Sequence, residues 1–218
     1  MPPGTQRAQV RGAAGAIEVA WNRPETPKAV GVIAHPHPLF GGTMDNKVVT
    51  TVARAFIEAG VATFRFNFRG VGGTEGEHDE GRGETDDMLK VVEHARSEAP
   101  GLPLFLAGFS FGGAIATRAS CAVEFARLVL VAPGFRRITG EGMGTAPDPE
   151  DPRLGEIGRH TAANTVMVHG DLDDTVPLAD SIAWATPREV PVVVVPGGEH
   201  FFHRKLHVLR EVVARFVA

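Results

Sequence analysis

Residues 108–112 read GFSFG and place Ser110 between two glycines with the spacing G-x-S-x-G. The apolar run 104–107 precedes this segment, and a helix-like stretch follows from Gly112. Glycines on both sides let the chain turn sharply from strand to helix. The hydroxyl then projects from the turn, and the helix N-terminus stabilises negative charge beside it. The pattern predicts that Ser110 is a nucleophile in acyl transfer, and the alternative is a structural turn with an idle serine.

A nucleophilic serine needs a neighbouring base, because a hydroxyl is a weak nucleophile until its proton is removed. When the serine lies on such a turn, a carboxylate and then a histidine follow it in the chain. His200 fits this order, since it lies in the loop 196–200 (PGGEH) directly after an apolar run. His203 and His207 are the alternatives, but His203 begins the final helix and is less freely placed. We therefore predict that His200 is the base.

The acid that orients the histidine has three candidates in one segment. Residues 169–177 read HGDLDDTVP and contain Asp171, Asp173 and Asp174. The loop after the preceding strand-like run has no carboxylate before Glu141, which points back to this segment. The chemistry of the residues alone leaves the three aspartates open.

Acyl transfer also generates an oxyanion, which preorganised N–H donors stabilise. The first predicted donor is the backbone N–H of Phe111, the residue after the nucleophile. The second is expected from the loop 35–42 (HPHPLFGG), in which the two prolines have no N–H. His37, Leu39 and Phe40 remain, and His37 is favoured because it lies nearest to the preceding strand.

Two histidines in this loop, His35 and His37, could also be read as a metal pair. Zinc sites need further ligands at suitable spacing, and the sequence contains neither H-E-x-x-H nor a cysteine cluster. The segment 67–73 (NFRGVGG) lacks the spacing of a nucleotide-binding loop, and its Arg69 is expected to anchor loops near the site. We therefore predict no metal and no cofactor.

Apolar strand-like runs alternate with amphipathic helical stretches along the chain. The predicted strands are 15–21, 29–34, 61–67, 103–108, 128–132, 165–169 and 190–195, and the predicted helices are 45–59 (with Asp45 as N-cap), 84–98, 112–123, 178–185 and one from about 206. Strands that are apolar throughout and separated by helices indicate a mostly parallel central sheet with helices on both faces. We predict one α/β domain over 1–218, with 133–164 as an irregular excursion or minimal lid.

The composition is that of an ordinary globular protein: 43% of the 218 residues are hydrophobic, 22% are charged, and the formal net charge is −4. This mild negative charge argues against a nucleic-acid partner. A single cysteine, Cys121, excludes an internal disulfide, and no segment resembles a membrane span or a signal peptide. We expect a cytoplasmic protein that acts on a small acyl substrate without a membrane partner, and a homodimer is compatible with the sequence.

Four segments resemble the small bacterial α/β-hydrolases described as serine esterases or dienelactone-hydrolase-like proteins. They are residues 35–44, 65–72, 108–112 and 198–202. The resemblance runs from about residue 28 to the C-terminus and implies an α/β-hydrolase fold without a large cap domain. It also implies that the acid is Asp173, three residues after the glycine of the HG pair.

The resemblance implies a serine hydrolase that cleaves a small carboxylic ester through Ser110, Asp173 and His200. Dienelactone hydrolases carry a cysteine at the position of Ser110, so their particular activity is not expected. The same three residues could serve a thioesterase, an amidase, a peptidase or a C–C bond hydrolase. A non-catalytic binding protein that retained the fold is the alternative from another class.

Overall fold

The computed structural model describes residues 2–136, 154, 156 and 159–218, and within them eight strands form one sheet. The strands are β1 (Gln6–Arg11), β2 (Ala16–Asn22), β3 (Ala29–Ala34), β4 (Val61–Phe66), β5 (Leu104–Phe109), β6 (Arg127–Val131), β7 (Thr165–Gly170) and β8 (Val192–Val195). The α-helices of the same residues are α1 (Lys47–Glu58), α2 (Arg82–Glu98), α3 (Phe111–Ser120), α4 (Leu178–Ala185) and α5 (Leu206–Val217).

The strands lie in the order β1-β2-β4-β3-β5-β6-β7-β8. Strand β2 is antiparallel to both of its neighbours, whereas all pairs from β4 to β8 are parallel. The carboxyl ends of the parallel strands therefore meet at one edge, where loops from β3, β5, β7 and β8 come together. The predicted fold, an α/β-hydrolase with a mostly parallel sheet, is confirmed.

Helices cover both faces of the sheet. One core contains apolar side chains of α2, α3 and α4, and the other contains those of α1 and α5. The central strands β3, β4, β5 and β7 are buried at every residue, which explains why they are largely apolar. The α1 side chains that face the core form one stripe, which includes Val48, Val49, Val52 and Phe56.

Strand β1 is absent from the predicted elements. Its sequence, QRAQVR, is largely polar and mostly exposed, so it shows no apolar alternation. It lies at the sheet edge, where Gln6 to Arg11 pair with the partner residues Trp21 to Ala16 of β2. Antiparallel hydrogen bonds to β2, rather than burial, define this strand.

The N-cap predicted for α1 is wrong by one residue. Asn46 caps the helix, because its side-chain oxygen accepts a hydrogen bond from the N–H of Val48 at 2.8 Å. Asp45 instead accepts a hydrogen bond from the buried guanidinium of Arg65 at 2.9 Å. The Asp45 carboxylate thus pairs with a buried cation on β4 and does not cap the helix.

Most of the predicted excursion, 133–164, lies outside the described residues. Of the part that the structure describes, Leu154 is buried, and its carbonyl oxygen accepts a hydrogen bond from the Trp184 indole at 3.2 Å. Arg136 donates to Asp180 of α4 at 2.6 Å. Among the described helices, none has the length and apolar character that crossing a membrane requires.

Candidate active site

Ser110 lies on the turn between β5 and α3 in an unusual backbone conformation. Its φ is +55° and its ψ is −120°, which is strained for a residue with a side chain. The surrounding backbone holds this conformation: the Ser110 N–H donates to the Val131 oxygen at 2.9 Å, and its carbonyl accepts from Gly113 at 2.9 Å and Gly134 at 2.8 Å. The turn is therefore fixed from both β6 and α3.

The glycines of the GFSFG segment are required by close backbone packing. A Cβ at Gly108 would lie 2.0 Å from the Gly112 oxygen. A Cβ at Gly112 would lie 2.4 Å from the His35 oxygen and 2.5 Å from the Ala34 oxygen. The first turn of α3 therefore packs directly on the end of β3, which brings the loop after β3 next to Ser110.

His200 lies within hydrogen-bonding distance of both Ser110 and Asp173. Its Nε2 is 3.1 Å from Ser110 Oγ, and its Nδ1 is 2.8 Å from Asp173 Oδ2. The imidazole is buried, with its ring centroid 4.9 Å from that of Phe109 and 5.1 Å from that of Phe201. The structure therefore brings together the three residues that the sequence analysis selected for catalysis.

The alternative histidines lie elsewhere. His203 is exposed, and its Nδ1 is 2.7 Å from the Glu199 carboxylate. His207 is an exposed residue of α5. Neither of them forms a hydrogen bond with Ser110 among the described residues.

The three candidate aspartates differ in burial and in their partners. The Asp173 side chain is fully buried, and its Oδ1 accepts hydrogen bonds from the N–H groups of Thr175 at 2.9 Å and Val176 at 2.8 Å. These bonds leave Oδ2 facing His200. Asp173 is therefore held in one orientation by its own loop.

Asp171 and Asp174 are exposed, and their side chains form hydrogen bonds within and between loops instead. Asp171 accepts a hydrogen bond from the Gly197 N–H at 2.7 Å and so connects the β7 loop to the loop that carries His200. Asp174 accepts one from the Thr175 hydroxyl at 3.2 Å.

The Asp173 carboxyl is ionised in this environment. Burial on its own would raise its pKa, but hydrogen bonds from His169, His200 and the Val176 N–H outweigh burial and hold the pKa well below the usual range. A carboxylate accepts but does not donate, so Nδ1 of His200 carries the proton towards Asp173. Nε2 then presents its lone pair to the Ser110 hydroxyl, as a general base requires.

The two residues predicted to supply the oxyanion donors, Phe111 and His37, have side chains in contact. Phe111 is the first residue of α3, where a helix N–H has no acceptor within the helix. In the loop after β3, the Leu39 N–H donates to His37 Nδ1 at 3.3 Å and the Phe40 N–H donates to the His37 oxygen at 3.2 Å. The alternatives Leu39 and Phe40 are thus engaged within the loop. The His37 ring packs against the Phe111 ring, with centroids 4.7 Å apart.

His35 connects the ends of two strands. Its Nε2 accepts a hydrogen bond from the Phe68 N–H at 2.9 Å, and its Nδ1 lies 2.6 Å from the Pro36 oxygen. Burial lowers the pKa of His35 to about 4, so the ring is neutral and donates from Nδ1. Both ring nitrogens are thus engaged by backbone groups. Across the part of the chain that the structure describes, no three histidine, cysteine or acidic side chains are grouped to hold a metal ion.

Arg69 anchors the glycine-rich loop, as the sequence predicted. Its guanidinium forms a bidentate pair with the buried carboxylate of Asp87 on α2, at 2.9 and 2.8 Å. These hydrogen bonds raise the pKa of Arg69 above its ordinary value. The pairing ties the loop after β4 to α2.

A cavity of about 180 Å³ opens in front of the Ser110 hydroxyl. Its lining consists of Pro36, His37, Phe40, Gly41, Gly42, Asn46, Ser110, Thr175, Val176, His200 and Phe201. Four phenylalanines flank Ser110 and His200 in the sequence, and three of them, Phe109, Phe111 and Phe202, are buried core residues. Only Phe201 of these four lines the cavity, where it is 43% exposed.

Sequence reasoning missed two contributors to this site. Phe40 was considered only for its backbone N–H, yet its side chain lines the cavity and is 72% exposed. His169, in the HGDLDD segment, is fully buried with its Nε2 3.3 Å from Asp173 Oδ2. The available signal was a polar residue within an otherwise apolar strand.

The chain is similar to serine hydrolases of known structure. Residues 26–147 match the family model Hydrolase_4, described as serine aminopeptidase, S33. An α/β serine hydrolase homologue from Coxiella burnetii is 36% identical, with a TM-score of 0.82 over 98% of this chain and 97% of that chain. An α/β serine hydrolase without lid from Xanthomonas campestris is 33% identical, with a TM-score of 0.83 over 100% of this chain and 95% of that chain.

The chain is also similar to human monoglyceride lipase. The two are 32% identical over 118 residues, which are 52% of this chain and 37% of the lipase. The chain spans less than half the length of the curated relatives that it matches.

Proposed function

The chain belongs to the α/β serine hydrolases of the Hydrolase_4 family, and on this premise we propose that it hydrolyses a small carboxylic ester through an acyl-enzyme on Ser110. The observation that carries the proposal is the setting of Ser110. Its hydroxyl lies 3.1 Å from His200 Nε2 on a turn with positive φ, and His200 Nδ1 lies 2.8 Å from the buried Asp173. A serine nucleophile, a histidine base and a carboxylate that orients the histidine, connected in this sequence by hydrogen bonds, are the arrangement of a serine hydrolase triad.

The reaction proceeds by two acyl transfers. Ser110 Oγ forms a bond to the ester carbonyl carbon while its proton passes to His200 Nε2, and Asp173 stabilises the imidazolium. The tetrahedral intermediate then expels the alcohol, which takes the proton from His200. Water loses a proton to Nε2 as it attacks the acyl carbon, and the carboxylic acid leaves as Ser110 regains its proton.

The oxyanion of each tetrahedral intermediate is stabilised by the backbone N–H groups of Phe111 and His37. Two observations support this assignment: Phe111 begins α3, and the Leu39 and Phe40 N–H groups already donate within their own loop. Contact between the His37 and Phe111 rings keeps the two backbone segments adjacent. Such donors stabilise developing charge without reorganisation in the transition state.

The cavity favours a short acyl group. Its volume of about 180 Å³ is below the roughly 300 Å³ at which typical small-molecule pockets begin. The name of the human relative, a monoglyceride lipase, supports an oxygen ester as the first substrate to test. The family description, serine aminopeptidase, makes an amide the second substrate to test.

Active-site labelling tests the proposal directly. We expect a fluorophosphonate to modify the wild-type protein on Ser110, as identified by peptide mass spectrometry, and p-nitrophenyl esters to turn over with a preference for short chains. In Ser110→Ala we expect no labelling and a loss of kcat of about 10⁶-fold, because the nucleophile acts as one unit with its base.

The control for Ser110→Ala is its circular dichroism spectrum, which should match that of the wild type. An unlabelled wild-type Ser110 with no ester, thioester or amide turnover would contradict the proposal and favour a binding protein that retained the fold. Turnover of an amide in preference to esters would keep the mechanism and replace the substrate class.

A further inference from the structure

Asp173 lies against a second histidine besides His200. His169, on β7, is completely buried, and its Nε2 lies 3.3 Å from the same oxygen, Oδ2, that faces His200. The same Nε2 lies 3.0 Å from the Val176 oxygen. The Asp173 carboxylate is thus enclosed between two imidazoles, only one of which reaches Ser110.

The proton of His169 can be assigned from its partners. The Val176 oxygen and the ionised Asp173 are both acceptors only, so Nε2 must carry the hydrogen. Nδ1 is then a lone pair, and it lies 2.8 Å from the Ser181 hydroxyl of α4, which donates to it. The two acceptors at Nε2 therefore fix the tautomer of His169, whose single Nε2–H donates to the Val176 oxygen and is shared with Asp173 Oδ2.

We propose that His169 is a positioning residue, which holds the Asp173 carboxylate in place and limits the basicity that Asp173 confers on His200. This inference rests on the proposed function, in which His200 is the general base. The imidazole N–H withdraws electron density from Oδ2, which is also the acceptor for His200 Nδ1. The hydrogen bond from His169 is the largest of the influences that lower the Asp173 pKa against the effect of burial.

Other ionisable groups near these residues have their own partners. They are Asp171, bound to the Gly197 N–H; Asp174, bound to the Thr175 hydroxyl; Glu199, paired with His203; and Asp180, paired with Arg136. His169 and Asp173 are fully buried and His200 nearly so, whereas Asp171, Asp174 and Glu199 are exposed. Among the described residues, Asp173 is therefore the buried carboxylate that faces His200.

The direction of the effect follows from the hydrogen bonds. Without the His169 donor, Oδ2 of Asp173 becomes a stronger acceptor and stabilises the His200 imidazolium more. The acid limb of kcat/KM, which reports the free base, moves to higher pH, and activity falls more at pH 6 than at pH 8.

Two substitutions of His169 separate hydrogen bonding from packing. His169→Phe keeps a planar ring and removes the donor, and we expect the acid limb to rise by about half a pH unit and kcat at the optimum to fall about tenfold. His169→Gln places an amide N–H near the position of Nε2, and we expect it to restore most of both values. An unshifted acid limb in His169→Phe, or equal defects in both variants, would overturn the proposal.

Proton NMR of His200 gives a readout that needs no turnover. We expect the His200 titration midpoint and the low-field Nδ1–H resonance to shift in His169→Phe, even if the wild type proves inactive on every substrate. Failure of the proposed function would therefore appear as absent labelling of Ser110, whereas failure of this inference would appear as an unchanged His200 titration.

Two further variants complete the experiment. His160→Phe is the matched control, because His160 is equally buried and bonded to a serine, Ser120, at 2.7 Å, but packs between Phe125 and Trp184. We expect no shift of the His200 titration in this control. If His169→Phe does not fold, His169→Met decides: it removes the donor with a flexible side chain that adapts to the buried site, so a shift in the same direction supports the inference and an unchanged titration overturns it.

Discussion

The two sides of the cavity at Ser110 are held in different ways. On the fixed side, formed by Ser110, Asp173 and His200, hydrogen bonds determine each position. The Ser110 carbonyl accepts from three backbone N–H groups. The Asp173 carboxylate accepts from two backbone N–H groups and from His200, and His169 Nε2 lies 3.3 Å from its Oδ2. Strain at a positive φ is tolerated there because the surrounding backbone over-determines it.

On the rim, formed by Phe40 and Phe201, the side chains are 72% and 43% exposed. Ring contacts with the neighbouring histidines, at 4.8 Å for Phe40 with His37 and 5.1 Å for Phe201 with His200, are weaker constraints than backbone hydrogen bonds. From this difference we expect a division of roles under the proposed function, in which the fixed side carries out the chemistry and the rim selects the acyl groups that fit. Substitutions on the two sides should therefore have effects of different kinds and sizes.

The largest effect that separates the two sides is expected at Asp173. Asp173→Asn replaces a carboxylate by an amide of the same shape, so His200 loses the acceptor that fixes its tautomer. We expect kcat on a p-nitrophenyl ester to fall by about 10⁴-fold while folding is retained. Steady-state assays at saturating substrate measure this loss of kcat.

Asp171→Asn and Asp174→Asn are the matched controls, because they change neighbouring carboxylates of the same loop. Asp174 is exposed, and we expect its variant to lose less than about threefold. Asp171 bonds to the Gly197 N–H, so its variant should lose somewhat more through the loop of His200. Equal losses at all three positions would mean that the loop, rather than Asp173, determines the activity.

The next effect concerns stability on the fixed side. In Gly112→Ala the added methyl group would lie 2.4 Å from one backbone oxygen and 2.5 Å from another, neither of which can move without displacing β3. We expect the free energy of unfolding to fall by about 3 kcal/mol, measured by chemical denaturation.

Gly113→Ala is the control for this substitution, since it adds the same methyl group one residue further along α3. Its nearest atoms, in Pro133, lie at 3.0 Å, so the neighbour has to give way only slightly. We expect a loss well below that of Gly112→Ala. A Gly112→Ala protein as stable as the wild type would show that the turn at Ser110 is less rigid than its contacts indicate.

The sequence predicted the buried parts of the fold better than the edges. Parallel strands covered on both faces are largely apolar, so β3, β5 and β6 were visible as apolar runs, and β4 was visible from its alternating phenylalanines. Strand β1 was not visible in the sequence, because it is defined by backbone hydrogen bonds to β2 and its polar residues show no apolar pattern. The N-cap prediction for α1 was wrong because Asp45 pairs with Arg65, which lies twenty residues further along the chain.

For the candidate site, the local sequence pattern was enough to select a residue wherever its position depends on its neighbours in the chain. Ser110 follows from its glycines, and His200 follows from chain order. The choice of Asp173 came from family resemblance, because what separates it from Asp171 and Asp174 is burial and a pair of N–H donors that only the folded loop provides. His169 went unrecognised because a histidine inside a buried strand gives no sign of which carboxylate it meets.

The smallest effect is expected on the rim, where Phe40→Ser should change selectivity and leave the chemistry intact. Phe40 lines the cavity, whereas Leu39, its neighbour in the same turn, is 67% exposed and does not line it, which makes Leu39→Ser the matched control. Each methylene of an acyl chain that packs on Phe40 contributes at most about 0.8 kcal/mol, and packing on one exposed ring buries it only in part. We expect KM for p-nitrophenyl butyrate to rise about threefold in Phe40→Ser, with KM for the acetate and kcat for both esters nearly unchanged. Equal changes in Phe40→Ser and Leu39→Ser, or a large loss of kcat in Phe40→Ser, would contradict the distinction between rim and fixed side. Either result would mean that the loop after β3 acts through the proposed oxyanion donor His37 rather than through contact with the acyl chain.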